Sequence, residues 1–405
     1  MTAAEAAGAL GVTRPTLYAY VSRGLLRSVA RGATAQRRYR RDEVERLAHE
    51  RASARKPALV AQASLDWGRP VLASALTLIE DGRLFYRGRD AIALARDATL
   101  EDVAALLWDA APADLARAAP PRLDLRALRP LAALPAAARC TAAFAWLQAA
   151  TPAAEAPHGE CLRLLRLMTA IASGRAPTRA PAHEQLAHAW RLDARGADLV
   201  RRALVLCADH ELNASGFAAR CVASTGAAPG ACVTAGLAAL SGRRHAGVTS
   251  AIEQLRARAS GRRAAALRRL VDEVVASGAG EVPSQRVPGF GHPLYAAGDP
   301  RATALLTLLP RAARDERLCA AVSARTGQAP TVDFALVALC EALGLAAGSA
   351  YLLFALGRTV GWLAHALEQG RSDTLIRPRA RYTGPRPVEQ RSELEALPSR
   401  IIRRR

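Results

Sequence analysis

The chain has 405 residues, long enough for more than one domain, and 51% of them are hydrophobic although only 4% are aromatic. Ala and Leu fill most apolar positions, which suits closely packed helices better than sheets, because sheets favour β-branched and aromatic residues. The formal net charge is +20, and nearly every cation is an arginine. This excess favours an anionic partner, either nucleic acid or anionic metabolites, although a general bias toward arginine and alanine would give the same charge without one.

Cysteine usage and the apolar stretches point to a soluble, cytoplasmic protein with no metal and no membrane partner. The cysteines form no C-x-x-C pair and no Cys/His spacing suited to zinc. An odd number of cysteines in a long chain favours reduced thiols. Glu5 and Arg14 interrupt any N-terminal apolar segment, so no signal peptide is predicted. The longest uncharged stretch, residues 221–242, contains four glycines and a proline and would span a membrane poorly.

The first residues predict two short helices joined by a glycine turn. Thr2 and Glu5 have the spacing of a capping box, which starts a helix that ends near Leu10. Gly11 then turns the chain, and Thr13 can cap a second helix. The residues that would form the small shared core are Leu10, Val12, Leu17 and Val21.

Two such helices resemble a helix-turn-helix of the MerR or excisionase type, with a basic wing at residues 32–39 and a third helix at 43–50. Residues 1–56 carry 12 Arg and Lys against 5 Asp and Glu. We therefore predict DNA binding, because the basic wing has no obvious packing role. The alternative is a small docking module that does not touch DNA. The residues expected near the groove are Arg14, Thr16 and Tyr18, and those expected on phosphates are Arg37 and Arg38.

A polar linker at residues 49–57 leads to the second part of the chain. A hairpin is predicted there, with strands at 71–77 and 83–86 around the turn signal Glu80-Asp81-Gly82. Thr99 is expected to cap the helix that follows, which ends at Trp108.

The rest of the chain is predicted to be helical. The segments 110–157 and 173–182 are rich in Ala, Pro and Arg, and we expect short helices with loose connections in them. Residues 251–275 predict one or two basic amphipathic helices. The other predicted helices include 201–208, 217–225, 231–240, 336–343 and 349–368.

The segment Arg286-Val-Pro-Gly-Phe-Gly-His-Pro-Leu-Tyr295 holds a single histidine, His292, between two glycines and a proline. Glycines let the backbone turn sharply and approach a ligand, and the proline stiffens the exit. Such a segment can fix an imidazole at the edge of a cleft. On this motif alone, a loop with an incidental histidine is an equal alternative.

Three further motifs favour the functional interpretation. Together, and in this order, the four motifs resemble the signatures of the citrate synthase family, and the resemblance covers residues 64–384. The three are Ala208-Asp-His-Glu-Leu-Asn-Ala-Ser215, Leu240-Ser-Gly-Arg-Arg-His-Ala-Gly247 and Pro330-Thr-Val-Asp-Phe334, with support from Phe354-Ala-Leu-Gly-Arg358 and Leu375-Ile-Arg-Pro-Arg379.

The resemblance implies which residues perform the chemistry. Asp333 would remove a proton from the methyl group of acetyl-CoA, and His245 would hydrogen-bond the thioester oxygen as the enol forms. His292 would donate to the carbonyl of oxaloacetate. A carboxylate can remove so weakly acidic a proton only if another group stabilises the enolate at the same time.

The same resemblance implies the groups that hold the keto acid. His210 and Arg358 would bind its carboxylates, together with Arg377 from the partner subunit. Arginine suits this role because its planar guanidinium matches a carboxylate with two parallel hydrogen bonds. His365, which lies on an apolar helix, is expected to be structural.

Three positions depart from the family pattern. The common motif Gly-Pro-Leu-His-Gly-Gly-Ala-Asn is here Gly242-Arg-Arg-His-Ala-Gly-Val-Thr249. Pro293 stands where an arginine often follows the second histidine, and Ala335 replaces a tyrosine after Asp333-Phe334. These departures affect the identity of the keto acid and the turnover rate.

The sequence therefore predicts a mostly α protein, with a helix-turn-helix domain at 1–56 and a two-domain all-α body like that of citrate synthase. The large domain would comprise 57–240 plus 346–405, and the small domain 241–345. The resemblance implies a homodimer or larger assembly that condenses acetyl-CoA with oxaloacetate or a related 2-keto acid, with no tightly bound cofactor. The alternative is a regulator that binds double-stranded DNA and uses its body to sense acyl-CoA or a tricarboxylate.

Overall fold

The computed structural model describes residues 1–22, 26, 28–31, 36–39, 44, 72–278, 287–310, 313–380 and 382–385. Most of these residues lie in helices, so the predicted mostly α class is confirmed. Buried hydrophobic side chains form two separate clusters. One lies between Ala6 and Val44, and the other extends from Leu76 to Ala366.

The N-terminal region begins with two helices, α1 (Ala3–Leu10) and α2 (Arg14–Ser22). The predicted capping box is present, since the Thr2 hydroxyl accepts from the Glu5 amide at 3.3 Å and the Glu5 carboxylate accepts from the Thr2 amide at 2.8 Å. Gly11 ends α1 with a φ of 60°, a left-handed conformation that glycine adopts without a steric cost. Of the predicted core residues, Leu10 and Leu17 are buried, and Val12 and Val21 pack against them.

Two strands follow α2, β1 (Ser28–Arg31) and β2 (Gln36–Tyr39). They pair antiparallel, with Ser28 opposite Tyr39. The strand β2 supplies the second half of the predicted wing. The other predictions for this region lie outside the described residues, namely the wing tip at 32–35, most of the third helix and the linker at 49–57. The same is true of Arg286 in the His292 motif.

The predicted hairpin is present, but its first strand was placed wrongly. It comprises β3 (Thr77–Glu80) and β4 (Arg83–Tyr86), and a short β5 (Arg89–Asp90) adds a third strand. Glu80 pairs with Arg83, which leaves only Asp81 and Gly82 in the turn. Both turn residues have positive φ, 51° and 72°, as a two-residue hairpin turn requires. The strand therefore extends to the turn and does not end at residue 77.

Fifteen further α-helices and one 3-10 helix (Leu125–Ala133) are described in the body, and several α-helices are longer than the sequence predicted. The Ala-rich segment that was expected to form only short helices contains α6, a helix of 15 residues. The helices are α3 (Ala91–Asp97), α4 (Leu100–Trp108), α5 (Pro112–Arg117), α6 (Ala136–Ala150), α7 (Pro157–Ser173), α8 (Ala182–Trp190), α9 (Ala194–Cys207), α10 (Ala214–Ala223), α11 (Pro229–Leu240), α12 (Val248–Ala259), α13 (Ala264–Ala276), α14 (Pro300–Leu306), α15 (Ala313–Thr326), α16 (Val332–Ala342) and α17 (Ser349–Gly370).

Helix α17 forms the centre of the body and packs against α4, α7, α9, α10 and α11. It has the length and apolarity of a membrane span, but 94% of its apolar window is buried inside the structure. The amide of Gly361 donates to the Ala208 carbonyl at 2.9 Å. A Cβ atom at Gly361 would collide with that carbonyl and with Asp209. The glycine therefore lets α17 touch the segment that leads into His210.

Candidate active site

Asp333 and His292 lie on two segments that are joined by hydrogen bonds. The amide of Thr331 donates to the carbonyl oxygen of Gly289 at 2.9 Å, and the Thr331 hydroxyl donates to the same oxygen at 3.2 Å. Asp333 is the second residue of α16, and His292 follows Gly289 by three residues. Because backbone pairing fixes both segments, the candidate base and the candidate carbonyl donor belong to one hydrogen-bonded unit.

Two glycines and a ring pair shape the loop that carries His292. Gly289 and Gly291 have φ values of 82° and 81°, which bears out the expected sharp turn. The loop brings Phe290 against Phe334, with ring centroids 5.0 Å apart, and both rings are fully buried. The two candidate segments are thus held by side-chain packing as well as by backbone bonds.

A buried ion pair lies at the start of α16. Arg301 donates to Asp299 through Nε at 3.0 Å and Nη2 at 2.9 Å, and both residues are 2% exposed. The Asp299 carboxylate also accepts from the Val332 amide at 2.9 Å. A buried charge needs such partners because it has lost its water. The guanidinium of Arg301 is consequently fixed in position near Asp333.

His210 and His292 meet around Tyr295. The His210 Nε2 atom lies 3.0 Å from the Tyr295 hydroxyl. The His210 and His292 ring centroids are 5.1 Å apart, and those of His292 and Tyr295 are 4.9 Å apart. The structure thus brings together two sequence-predicted histidines that are 82 positions apart in the chain.

The hydrogen bonds of His292 define its neutral tautomer. Its Nδ1 atom accepts from the Leu294 amide at 3.2 Å. A nitrogen that accepts carries no proton, so the neutral ring carries its proton on Nε2. That N–H is a suitable donor to a carbonyl oxygen.

His245 is held by Ser215 and Asn213. Its Nε2 atom lies 2.9 Å from the Ser215 hydroxyl and 3.3 Å from Asn213 Oδ1. The Ser215 hydroxyl has one proton and a second acceptor, Asn213 Oδ1, at 2.7 Å. When this hydroxyl donates to His245, the ring proton lies on Nδ1. The Ser215 hydroxyl therefore selects the tautomer of His245, and the one that provides an Nδ1–H donor is the one in which the hydroxyl donates to Nε2 and not to Asn213.

Arg358 extends from α17 into the same site. It is 1% exposed, its Nε atom donates to the Cys207 carbonyl at 2.9 Å, and its guanidinium lies 4.7 Å from the centroid of Phe354. His245 packs against that same ring at 5.8 Å. Within the described residues, Nη1 of Arg358 has no hydrogen-bond partner. A buried guanidinium with an unused donor is a site for an anion.

Burial and the arginines set the protonation states. Burial raises the pKa of Asp333 to about 6, against the opposing charge of Arg301. Burial and Arg358 lower the pKa of His245 to about 3, and burial and Arg301 lower that of His292 to about 4. The pKa of His210 lies well below its usual range for the same reason. Near neutral pH the histidines are thus neutral, and Asp333 is a carboxylate with raised basicity.

Arg377 is not brought to this cluster within a single chain. Its side chain is exposed, and no described contact joins it to the other candidate residues. His365, which was expected to be structural, is buried, and its Nε2 atom lies 3.4 Å from Asp209.

A cavity of about 170 Å³ opens beside His292. Its lining includes Gly291, Pro293, Tyr295, Asp299 and Gln328. Pro293, the second departure from the family pattern, thus lies on the wall of a cavity that adjoins the candidate site.

The first departure, in the motif around His245, is accommodated by packing. Ala246 is fully buried within the core, and the Thr249 hydroxyl donates to the Ala246 carbonyl at 2.8 Å. The neighbouring Gly247 could not be replaced, because a Cβ atom there would collide with the Ser241 and Gly242 carbonyls. The turn that carries His245 is therefore tightly closed.

Four of the five candidate DNA-contacting residues are at least partly exposed in the N-terminal region. Arg14 and Arg38 are exposed, Tyr18 is 45% exposed, and Thr16 is partly exposed. The Thr16 hydroxyl lies 2.9 Å from that of Thr13, at the start of α2. Arg37 lies in β2, opposite Ala30.

Sequence reasoning gave no role to two residues of the cluster, Arg301 and Tyr295, although both lie in or near the His292 motif. Asp299-Pro300-Arg301 has the local pattern of a helix start, with Asp299 as cap and Pro300 in the first turn. Nothing in that pattern shows that Arg301 folds back into the site. Among the described residues, no group of three or more His, Cys, Asp and Glu side chains is arranged to hold a metal ion.

Comparison with known proteins places the chain in a family. Residues 65–379 match the family model "Citrate synthase, C-terminal domain", and residues 1–52 match "Helix-turn-helix domain". The chain is 32% identical over 218 residues to "Citrate synthase 2" of Bacillus subtilis (strain 168), an alignment that covers 47% of this chain and 53% of that relative. The chain thus spans about half the length of that relative.

Two longer matches agree with this result. The chain is 30% identical over 354 residues to "Citrate synthase" of Mycolicibacterium smegmatis. This alignment covers 75% of this chain and 90% of that relative. The crystal structure of citrate synthase from Thermotoga maritima MSB8 superposes with a TM-score of 0.66 at 25% identity, over 80% of this chain and 96% of that chain. The protein belongs to the citrate synthase family and carries a helix-turn-helix domain at its N-terminus.

Proposed function

We propose that the body of this protein condenses acetyl-CoA with oxaloacetate or a related 2-keto acid and releases citrate, or the matching product, and CoA. The observation that carries the proposal is the pairing of the Asp333 and His292 segments through Thr331 and Gly289 at 2.9 Å, beside the buried Arg301, where burial raises the pKa of Asp333 to about 6. A base of this strength can remove a weakly acidic proton only when hydrogen-bond donors stabilise the enolate at once.

In the first step, Asp333 takes a proton from the methyl group of the thioester. His245 donates to the thioester oxygen through Nδ1 in the tautomer whose Nε2 accepts from the Ser215 hydroxyl at 2.9 Å. A neutral imidazole is suited to this role because the developing enol is itself a weak acid.

In the second step, the enol carbon attacks the ketone carbon of the keto acid. His292 donates to the ketone oxygen through Nε2, since the Leu294 amide occupies Nδ1 at 3.2 Å. His210, Arg301 and Arg358 hold the carboxylates, together with Arg377 supplied by the partner subunit of a homodimer. The buried, unpaired Nη1 of Arg358 supports its part in this arrangement.

In the last step, water cleaves the new thioester and releases CoA. Acetyl-CoA, oxaloacetate and one water thus give citrate and CoA. The division into a large domain (57–240 plus 346–405) and a small domain (241–345) provides a cleft, whose closure would exclude water until the carbon–carbon bond has formed.

The test is a thiol-release assay with acetyl-CoA and a panel of 2-keto acids. We expect CoA release that depends on both substrates, and loss of release in Asp333→Asn. No release with any keto acid, from protein that melts cooperatively, would contradict the proposal.

A second candidate function is DNA binding by a regulator whose body senses acyl-CoA or a tricarboxylate. The match of residues 1–52 to a helix-turn-helix domain favours it, together with the exposed Arg14 and Tyr18 on α2. Helices of this kind read DNA by placing exposed side chains in the major groove. One protein can perform both functions, because no candidate catalytic residue lies in the N-terminal region.

A further inference from the structure

A cluster of arginines lies where α12 meets α13. From Gln254 to Leu270 the chain contains six arginines and no Asp or Glu. One of them, Arg256, is buried. The other five are exposed, and we call them the arginine corner: Arg258, Arg262, Arg263, Arg268 and Arg269.

Packing of the two helices explains why these side chains point outward. Gly261 turns the chain with a φ of 71° between the end of α12 and the start of α13. Helix α13 buries Leu267, Leu270 and Val271 at helical spacing. Arg268 and Arg269 fall between these positions and are therefore exposed.

Within the described part of the chain, the two carboxylates near the corner form ion pairs with Arg258 and Arg325 and with no other member of the corner. Glu273 pairs with Arg258 at 3.1 Å, and Asp272 pairs with Arg325 at 2.6 Å. Across the described residues, no ion pair joins a carboxylate to the other four members of the corner, Arg262, Arg263, Arg268 and Arg269. These four cations thus leave a locally uncompensated positive charge.

We propose that the arginine corner binds the phosphate backbone of double-stranded DNA. A guanidinium is the side-chain group best shaped to bind a phosphate, and several in one place release several counterions on binding. The exposed residues between the arginines are small, namely Ser260, Gly261, Ala264 and Ala265. Small residues let the backbone of a polyanion approach the guanidinium groups closely.

The surface fits DNA better than an anionic membrane. A membrane-binding helix combines cations with large apolar side chains that enter the lipid. Among the described residues, the large exposed hydrophobic side chains are all elsewhere. Residues 1–52 match a helix-turn-helix domain, so duplex DNA is the polyanion that this chain is equipped to meet.

The test is binding of a labelled duplex of arbitrary sequence to the full-length protein, measured by fluorescence anisotropy over a range of salt concentrations. The corner variant combines Arg262→Ala, Arg263→Ala, Arg268→Ala and Arg269→Ala. We expect it to bind about tenfold or more weakly, with the salt slope reduced by roughly two to four units.

The control variant removes the same net charge from exposed arginines elsewhere: Arg89→Ala, Arg122→Ala, Arg129→Ala and Arg175→Ala. We expect it to bind the duplex within about threefold of the parent, since long-range attraction is largely screened by salt. Thermal melting of each variant verifies its fold.

Three results would overturn the proposal. Equal losses in both variants would mean that only net charge matters. A corner variant that binds the duplex as the parent does would show that DNA does not use this surface. Loss of binding to vesicles of equal parts phosphatidylcholine and phosphatidylserine, with DNA binding kept, would assign the corner to lipid. None of these results depends on condensation activity.

Discussion

The guanidinium of Arg256 lies 5.0 Å from the centroid of Phe334, the residue that follows Asp333 in α16. Arg256 is 1% exposed and bonds both oxygens of Glu341, at 3.1 and 2.9 Å, and Asp315 at 2.7 Å. The helix that carries it, α12, begins three residues after His245. A single buried cation thus connects the segments that carry two of the three candidate catalytic residues, and Phe334 extends the contact to the loop of the third through Phe290.

We predict that Arg256→Lys lowers kcat by about tenfold and leaves the KM for the keto acid nearly unchanged. Lysine keeps the charge but cannot bond two carboxylates and cover the ring of Phe334 with a planar group. A small displacement of Asp333 affects the proton transfer more than the binding of the ground state. Steady-state kinetics provides the measurement.

The matched control is Arg163→Lys. Arg163 is also buried and bonds both oxygens of Glu160 at 2.7 Å, but none of its described contacts reaches a candidate catalytic residue. We expect similar losses in melting temperature for the two variants and a kcat within about threefold of the parent for Arg163→Lys. A kcat that falls equally in both would reduce Arg256 to a stabilising residue.

The pH dependence of condensation follows from the protonation states. With a pKa of about 6 for Asp333, kcat/KM should rise about tenfold per pH unit below that value and level off above it. The pKa values of about 3 for His245 and about 4 for His292 keep both rings neutral throughout this range. A pH–rate profile measures this directly. A rate that declines as the pH rises through 6 would contradict a carboxylate base.

Asp333→Asn should abolish condensation yet stabilise the protein at high pH. Burial raises the pKa of this group above its ordinary value of 3.8, so the fold favours the protonated form. The stability present below pH 4 is lost as the pH rises through 6. Asparagine is neutral at every pH, so we expect the variant to melt higher than the parent at pH 8 but not at pH 4. If the melting temperatures of variant and parent differed by the same amount at pH 4 and pH 8, ionisation of Asp333 would not destabilise the fold.

Arg358→Leu should weaken the apparent affinity for oxaloacetate by about tenfold to a hundredfold, with that for acetyl-CoA changed by less than about threefold. The variant deletes the buried guanidinium whose Nη1 has no described partner. Arg358→Lys keeps the charge without the planar group, so its affinity for oxaloacetate should lie between that of the parent and that of Arg358→Leu. Equal effects on both substrates in kinetic measurements would indicate a structural arginine.

Local patterns in the sequence predicted local structure well. The Thr2–Glu5 capping box joins residues three positions apart, so its geometry follows from the spacing alone. The hairpin shows the limit of this reasoning. Its turn signal was recognised at Glu80-Asp81-Gly82, but the predicted first strand ended at residue 77. The positive φ of Asp81 and Gly82 confines the turn to these two residues, so Glu80 belongs to the strand.

The candidate site required long-range information. His210 and Tyr295 are 85 positions apart and meet only because the helices between them pack in one particular way. Arg301 has the sequence context of an ordinary first helical turn, and Arg256 that of a solvated basic helix. Family motifs identified the histidines and Asp333, but the groups that hold them in place carry no motif of their own.

The last prediction concerns the N-terminal region, and the measurement is duplex binding over a range of salt concentrations. Replacing Arg37 and Arg38 with Ala should weaken binding to all sequences alike and flatten the salt slope by about one unit per lost phosphate contact. Arg14→Ala should instead change the preference among sequences, because Arg14 is exposed at the start of α2.

Removal of residues 1–56 separates this domain from the body. Condensation should persist, because no candidate catalytic residue lies in the deleted segment. Sequence preference should disappear, while a weaker, salt-sensitive attraction from the arginine corner remains. If the truncated protein bound DNA as tightly and as selectively as the full chain, the helix-turn-helix domain would not be the part that reads the sequence.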